Sequence, residues 1–129
     1  MYRELIIIIM VIFMIVIGNV ITQNNTIEAI SQISDKLTLL REEMEKDNAD
    51  QEKAREQMKK VEEIWEEKYK IMAFYTEHNE LEKVQTELTK LKADIHMKEY
   101  AQGVENLENC IFILEHIKDK SALKVVNIF

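Results

Sequence analysis

Lys46-Asp47-Asn48-Ala49-Asp50 is the stretch on which the fold turns. On either side of it apolar residues recur at alternating spacings of three and four, the signature of an amphipathic helix. Ile30, Ile33, Leu37, Leu40 and Met44 precede it; Ala54, Met58, Val61, Trp65, Met72 and Tyr75 follow, with Lys68 filling one position. The register runs through Asp47 and Gln51 without a break. Read as helix throughout, residues 26–75 would make one rod of about 75 Å at 1.5 Å per residue. Such a rod hides its stripe only by dimerising as a coiled coil. Read as a turn, the polar run ends one helix, and Asn48 or Asp47 caps the next. The turn is favoured, because polar groups stand where a continuous seam needs apolar ones.

Two further stripes follow, Leu81, Val84, Leu88, Leu91, Ile95 and then Tyr100, Val104, Leu107, Ile111, Leu114. The phase slips between Tyr75 and Leu81 and between Ile95 and Tyr100, and each slip marks a turn. At the first, Asn79 is placed to cap a helix and Glu82 to return the bond. A weak likeness between residues 51–58 and 98–105 suggests two related helical hairpins of the tetratricopeptide kind. The chain has no proline and two glycines, Gly18 and Gly103, which favours long helices joined by short polar turns. Four stripes can then bury one another in a compact bundle.

Leu5 to Ile21 reads LIIIIMVIFMIVIGNVI, without a charge. As a helix it reaches roughly 25 Å, enough to cross a bilayer if flanking residues sit in the interface. No Ala-x-Ala-like site follows it, which disfavours a cleaved signal peptide. No cysteine near residue 20 could carry a lipoprotein's lipid, and the leader glycine of a pilin is missing. Arg3 precedes the run, whereas the first basic residue after it is Lys36, with Glu28 and Asp35 nearby. That asymmetry puts the N-terminus inside and the rest outside the cytoplasm. The expected architecture is all-α: residues 1–24 as tail and single-pass membrane anchor, then residues 25–129 as an antiparallel bundle of about four helices in two hairpins.

The formal net charge is −7, with charged residues at 32% of the chain. An acidic domain repels phosphate backbones, so nucleic acid is not an expected partner. The single cysteine, Cys110, excludes an internal disulfide and lies in the apolar run Cys110-Ile111-Phe112-Ile113-Leu114, as a packed small hydrophobe would. The residues three before His78, His96 and His116 are Tyr75, Ala93 and Ile113, so the Glu-x-x-His motif of di-iron bundles is absent. No P-loop, GxGxxG or HExxH occurs, and the three serines lack an activating context. Neither a cofactor nor an enzymatic activity is expected.

Trp65, Tyr69, Phe74 and Tyr75 lead up to His78, which stands among Glu77, Asn79 and Glu80. Aromatic and ionisable groups meeting there suggest a partner or ligand surface; the plainer reading is core aromatics and a histidine bonded at a helix junction. His116, near the end of the fourth stripe, suits the negative end of a helix. The chain closes on Val125-Val126-Asn127-Ile128-Phe129, an apolar tail expected to dock on the bundle, or else on a partner. The candidate surface is therefore Trp65, Tyr69, Tyr75, His78, Ile128 and Phe129.

Several of these marks occur together: the Ile-rich segment, Val61-Glu62-Glu63-Ile64-Trp65, Phe74-Tyr75-Thr76-Glu77-His78, Phe112-Ile113-Leu114-Glu115-His116-Ile117, and Asn127-Ile128-Phe129. Over nearly the whole chain they resemble the domain-of-unknown-function family numbered 4363, small single-span membrane proteins of Gram-positive spore formers. That family usually has an aromatic residue at the turn opening the second helix, where Asp50-Gln51 stands here. The resemblance implies no activity, but it implies an accessory role beside larger membrane proteins. The expected function is a membrane-anchored helical interaction or accessory protein, touching the bilayer through Leu5–Ile21 and another membrane protein through its bundle, and compatible with a homo-oligomer. The alternative is an extracytoplasmic sensor holding a small ligand among Trp65, Tyr69, Tyr75 and His78.

Overall fold

The computed structural model describes the backbone of residues 1–74 and 76–128, and side chains as far as Leu123 apart from Tyr75. Four helices account for most of it: α1 (Tyr2–Glu45), α2 (Gln51–Met72), α3 (His78–His96) and α4 (Tyr100–Ile128). No strand occurs among the described residues. Each helix packs antiparallel on the one before it, and α4 closes the ring against α1. Residues 46–50 are thus a turn, and the coiled-coil rod is not formed.

The apolar segment and the first helix of the bundle are one helix of 44 residues, with no turn at residues 24–25. The bundle of four therefore includes the helix that carries the apolar segment, where the sequence suggested a separate span followed by four more. Continuity follows from the polar collar between the halves. Thr22 Oγ1 donates to Gly18 O at 2.8 Å and Thr26 Oγ1 to Thr22 O at 3.1 Å, so these hydroxyls bond back along the helix instead of ending it. Before the collar, the large side chains from Leu5 to Ile15 are all exposed. This half of α1 is long and apolar enough to cross a membrane, and none of it is buried in the bundle.

After the collar, Ile30, Ile33, Leu37, Leu40 and Met44 close onto Ala54, Met58, Val61, Trp65 and Met72 of α2 and Leu81, Val84, Leu88, Leu91 and Ile95 of α3, all buried. Burying one such side chain contributes about 1.5–3 kcal/mol. The stripe of α4 is rotated from its expected line. Leu107, Cys110, Leu114 and Ile117 are buried, whereas Tyr100, Val104 and Ile111 are half-buried. An α4 wedged between α1 and α3 needs apolar groups on both flanks, and the flank residues mimic a stripe of their own. At its start Gly103 lets α1 approach: a β-carbon there would lie 3.1 Å from Met44 Sδ. With Gly103 beside Met44 and Glu108 bonded to Arg41, α4 climbs back along α1 residue for residue.

The turns use chemistry other than that expected. Asp50, not Asn48 or Asp47, caps α2, its Oδ1 accepting from the N–H of Glu52 at 3.0 Å and of Lys53 at 3.4 Å. Its own N–H donates to Glu43 Oε1 at 3.0 Å, and Glu43 Oε2 accepts from Lys46 Nζ at 2.8 Å. One buried carboxylate thus ties both ends of the turn. At the α2–α3 turn, α3 already begins at His78, so Asn79 lies inside the helix; Glu82 pairs with His78 at 3.0 Å rather than returning to a cap. The α3–α4 turn is a Schellman motif with Lys98 in the left-handed position at φ 57°. The Lys98 N–H bonds Ile95 O and the Glu99 N–H bonds Asp94 O. Gln51 Nε2 reaches across from α2 to donate to His96 O and, as a further donor, to Ile95 O at the end of α3. The Asp50-Gln51 pair, in place of an aromatic, therefore caps one helix end and seals another.

Two outcomes follow from these turns. Replacing Lys98 by glycine removes the left-handed penalty and should stabilise the protein by about 1 kcal/mol in urea unfolding of the full chain in micelles; a loss of stability would mean that the lysine side chain holds the turn. The bonds from Lys46 and from the Asp50 N–H hold the Glu43 carboxyl below its usual 4.5. Its stabilising contribution is complete above that value and fades as pH falls through the lowered one. Wild type should exceed Glu43→Gln in stability at pH 7 and lose that lead in acid; parallel pH profiles would exclude this role.

Candidate functional site

The four seams of the ring are unequal. α1–α4 and α3–α4 are closely packed, α1–α2 only slightly less so, and α2–α3 is much the most open. Rims of long side chains stand along that seam at helical spacing, Arg55, Lys59, Glu62 and Glu66 on α2 and Gln85, Thr89, Lys92 and His96 on α3. Between them lies a groove whose widest part, a hollow of about 640 Å³, has Met58, Ala93 and Ile95 in its lining. Two further hollows adjoin it in turn, the first sharing Glu62, Thr89 and Lys92 with it and the next lined by Trp65, Tyr69 and Gln85. From Arg55 to Tyr69 the groove runs about 20 Å at 1.5 Å per residue.

Two bonds cross it. Arg55 Nη2 lies 3.2 Å from His96 Nδ1, and Lys92 Nζ lies 3.4 Å from Glu62 Oε1. Both are largely exposed, and pairs of that kind contribute little to holding a seam shut. At the foot of the bundle, where α1 ends, the rims carry Arg55, Lys59 and Lys92 against Glu62. Further up the sign changes, with Glu63, Glu66 and Glu67 along the groove.

Of the aromatic and histidine cluster suggested by the sequence, Trp65 and Tyr69 border the groove and His78 does not. Trp65 is 2% exposed and belongs to the core, with Nε1 donating to Gln85 Oε1 at 2.7 Å. Tyr69 meets it edge-on, ring centroids 5.6 Å apart at 64°, so these two are brought together. His78 is not brought to them; its side chain, 71% exposed, stands at the start of α3 and pairs with Glu82. Tyr75, the side chain of Ile128, and Phe129 lie outside the described residues, and with them the docking of the tail. His116 is mid-helix rather than terminal, since α4 continues to Ile128; its Nε2 lies 3.2 Å from Oε1 of the buried Glu80. Lys120 Nζ shares that oxygen at 2.9 Å, a bond that raises the lysine's pKa. Cys110 is fully buried, and burial, with the charge of Glu87, pushes its thiol up to about 12, which leaves it unreactive. Among the described residues no three His, Cys, Asp or Glu converge as a metal would require.

The basic rim was legible only in part. Arg55 and Lys59, like Lys92 and His96, stand four apart, but nothing local says that the two pairs face one another across an open seam.

A family model, described as a domain of unknown function, DUF4363, matches residues 20–128, the bundle together with the collar of α1. The chain belongs to the DUF4363 family. Neither a curated protein nor a solved structure matches it. The DUF4363 match begins at Val20, so it spans everything that packs and leaves aside most of the exposed apolar segment.

Because Trp65 is closed in by the bundle, Trp65→Ala should cost this DUF4363 bundle about 3–5 kcal/mol, seen as a lowered urea midpoint. Wild-type indole emission at the wavelength of free tryptophan in water would contradict the burial.

Proposed function

We propose that this protein is a membrane-anchored helical interaction module, an accessory subunit that holds a rigid bundle at the surface of a bilayer for another membrane protein to bind. The observation that carries the reading is α1 itself: among the described residues the large side chains of its apolar half stand exposed, and it runs into the bundle without a hinge. Exposed apolar surface of that extent is unstable in water and at home in hydrocarbon. Helical backbone meets the other demand of a bilayer, since every peptide group inside it is bonded within the segment. The collar of Asn19, Thr22, Gln23, Asn24, Asn25 and Thr26 then lies at the headgroups, and Arg3 on the short tail favours a cytoplasmic N-terminus with the bundle outside. A small-ligand sensor built on the aromatic cluster is less well supported, because Trp65, though it borders a hollow, is almost wholly buried and its Nε1 is already bonded to Gln85.

Carbonate extraction of membranes from cells making the full chain should leave it in the pellet. Protease added to intact wall-less cells should remove the bundle. Release by carbonate sinks the anchor, while a bundle protected until the cells are lysed reverses the orientation and leaves the anchor standing.

A further inference from the structure

We propose that the basic half of the α2–α3 groove docks an acidic amphipathic helix of a partner protein. The inference rests on the interaction-module reading and adds the place and the chemistry of the contact. Three observations favour this occupant. The trough is open along its length and bordered by two antiparallel helices, the geometry in which a further helix lays its apolar face, here on the exposed Ala93 with the buried Met58 and Ile95 beneath it. The rims over that floor carry Arg55, Lys59 and Lys92, with Glu62 the single acidic group and already bonded to Lys92. That is a local excess of positive charge in a chain of net charge −7, and it selects acidic flanks on the incoming helix.

The third observation is position. The basic half lies where α1 ends and α2 begins, more than twenty residues along α1 from Ile21. At 1.5 Å per residue this is about 30 Å from the apolar segment, several Debye lengths at physiological salt. Headgroups of the bilayer holding that segment cannot neutralise the rim, so a protein segment is the fitting source of negative charge. The two bonds across the groove, Arg55 with His96 and Lys92 with Glu62, are exposed pairs that an incoming carboxylate can replace.

The test uses the full chain in nanodiscs of zwitterionic lipid. A labelled helical peptide of about fourteen residues, roughly 20 Å long, carries a leucine stripe flanked by glutamates; its twin carries lysines. The glutamate peptide should bind saturably, weaken with salt, and perturb the emission of Trp65, the sole tryptophan. Arg55→Glu combined with Lys59→Glu, at exposed positions whose change should leave the melting temperature intact, should weaken it at least tenfold. The lysine twin should bind that variant better than wild type. Absent saturable binding, equal binding of both peptides, or a variant that binds like wild type overturns the proposal. A change in the chain's own oligomeric mass in the variant, without peptide binding, would make the groove a contact between copies and also overturn it. A partner captured with wild type and equally with the variant removes the groove but leaves the interaction module standing.

Discussion

Helix α1 has to satisfy two different surroundings with one backbone, and the rest of the molecule is arranged around that constraint. Through its first half the large side chains are apolar on all sides and, among the described residues, exposed from Leu5 to Ile15; through its second half they are apolar on one stripe only. A helix of the first kind needs no protein neighbours, and one of the second kind is stable only when its stripe is covered. The stripe from Ile30 to Met44 is covered by α2 on one side and α4 on the other, which makes α1 the wall against which the ring closes. Between the halves, the threonine hydroxyls bonded to Gly18 O and Thr22 O keep the polar collar helical. Orientation of the bundle is thereby tied to orientation of the apolar half, with no joint to absorb a rotation.

How much of this was legible depends on how local the information is. The stripes of α1, α2 and α3 were readable residue by residue, because a helix that buries one face writes it at every third or fourth position. α4 was misread by roughly a sixth of a turn at 3.6 residues per turn, because Tyr100, Val104 and Ile111 on its flanks are as apolar as Leu107 and Leu114 in its centre, and Cys110 and Ile117 complete the true line. Turn ends were read less well. Lys98 takes a left-handed position that sequence rules reserve for glycine or asparagine, and Asp50 outcompetes Asn48 because it is held in place by Glu43 from the preceding helix. That bond joins residues on either side of the turn, so no window on α2 alone would find it.

The candidate site shows the same limit more sharply. Burial of Trp65 followed from its place in a stripe, and its hydrogen bond to Gln85 completes that role. A cluster of Trp65 and Tyr69 with His78 did not form, since closeness in sequence across a turn does not bring side chains to one face. The groove was invisible for the converse reason: its rims come from two helices, and whether facing lysines and glutamates lock a seam or leave it open is decided by helix separation, which periodicity does not report.

The distribution of packing around the ring bears on what such a bundle can do. The most open seam, α2–α3, lies opposite α1–α4, which is among the tightest and contains the helix with the exposed apolar half. A bundle that must adapt to a partner without losing its core can do so only where few buried side chains interlock, because cores repack at a cost of kilocalories per misfitted methylene group. In the basic half of α2–α3 the crossing contacts are long, mostly exposed side chains whose exchange for a partner's carboxylates costs little, while the part-buried Trp65–Gln85 bond ties the seam higher up. Adjustment at that seam leaves Ile30, Ile33, Leu37 and Leu40 in place against α4, and so leaves undisturbed the geometry by which α1 holds the bundle relative to its own apolar half.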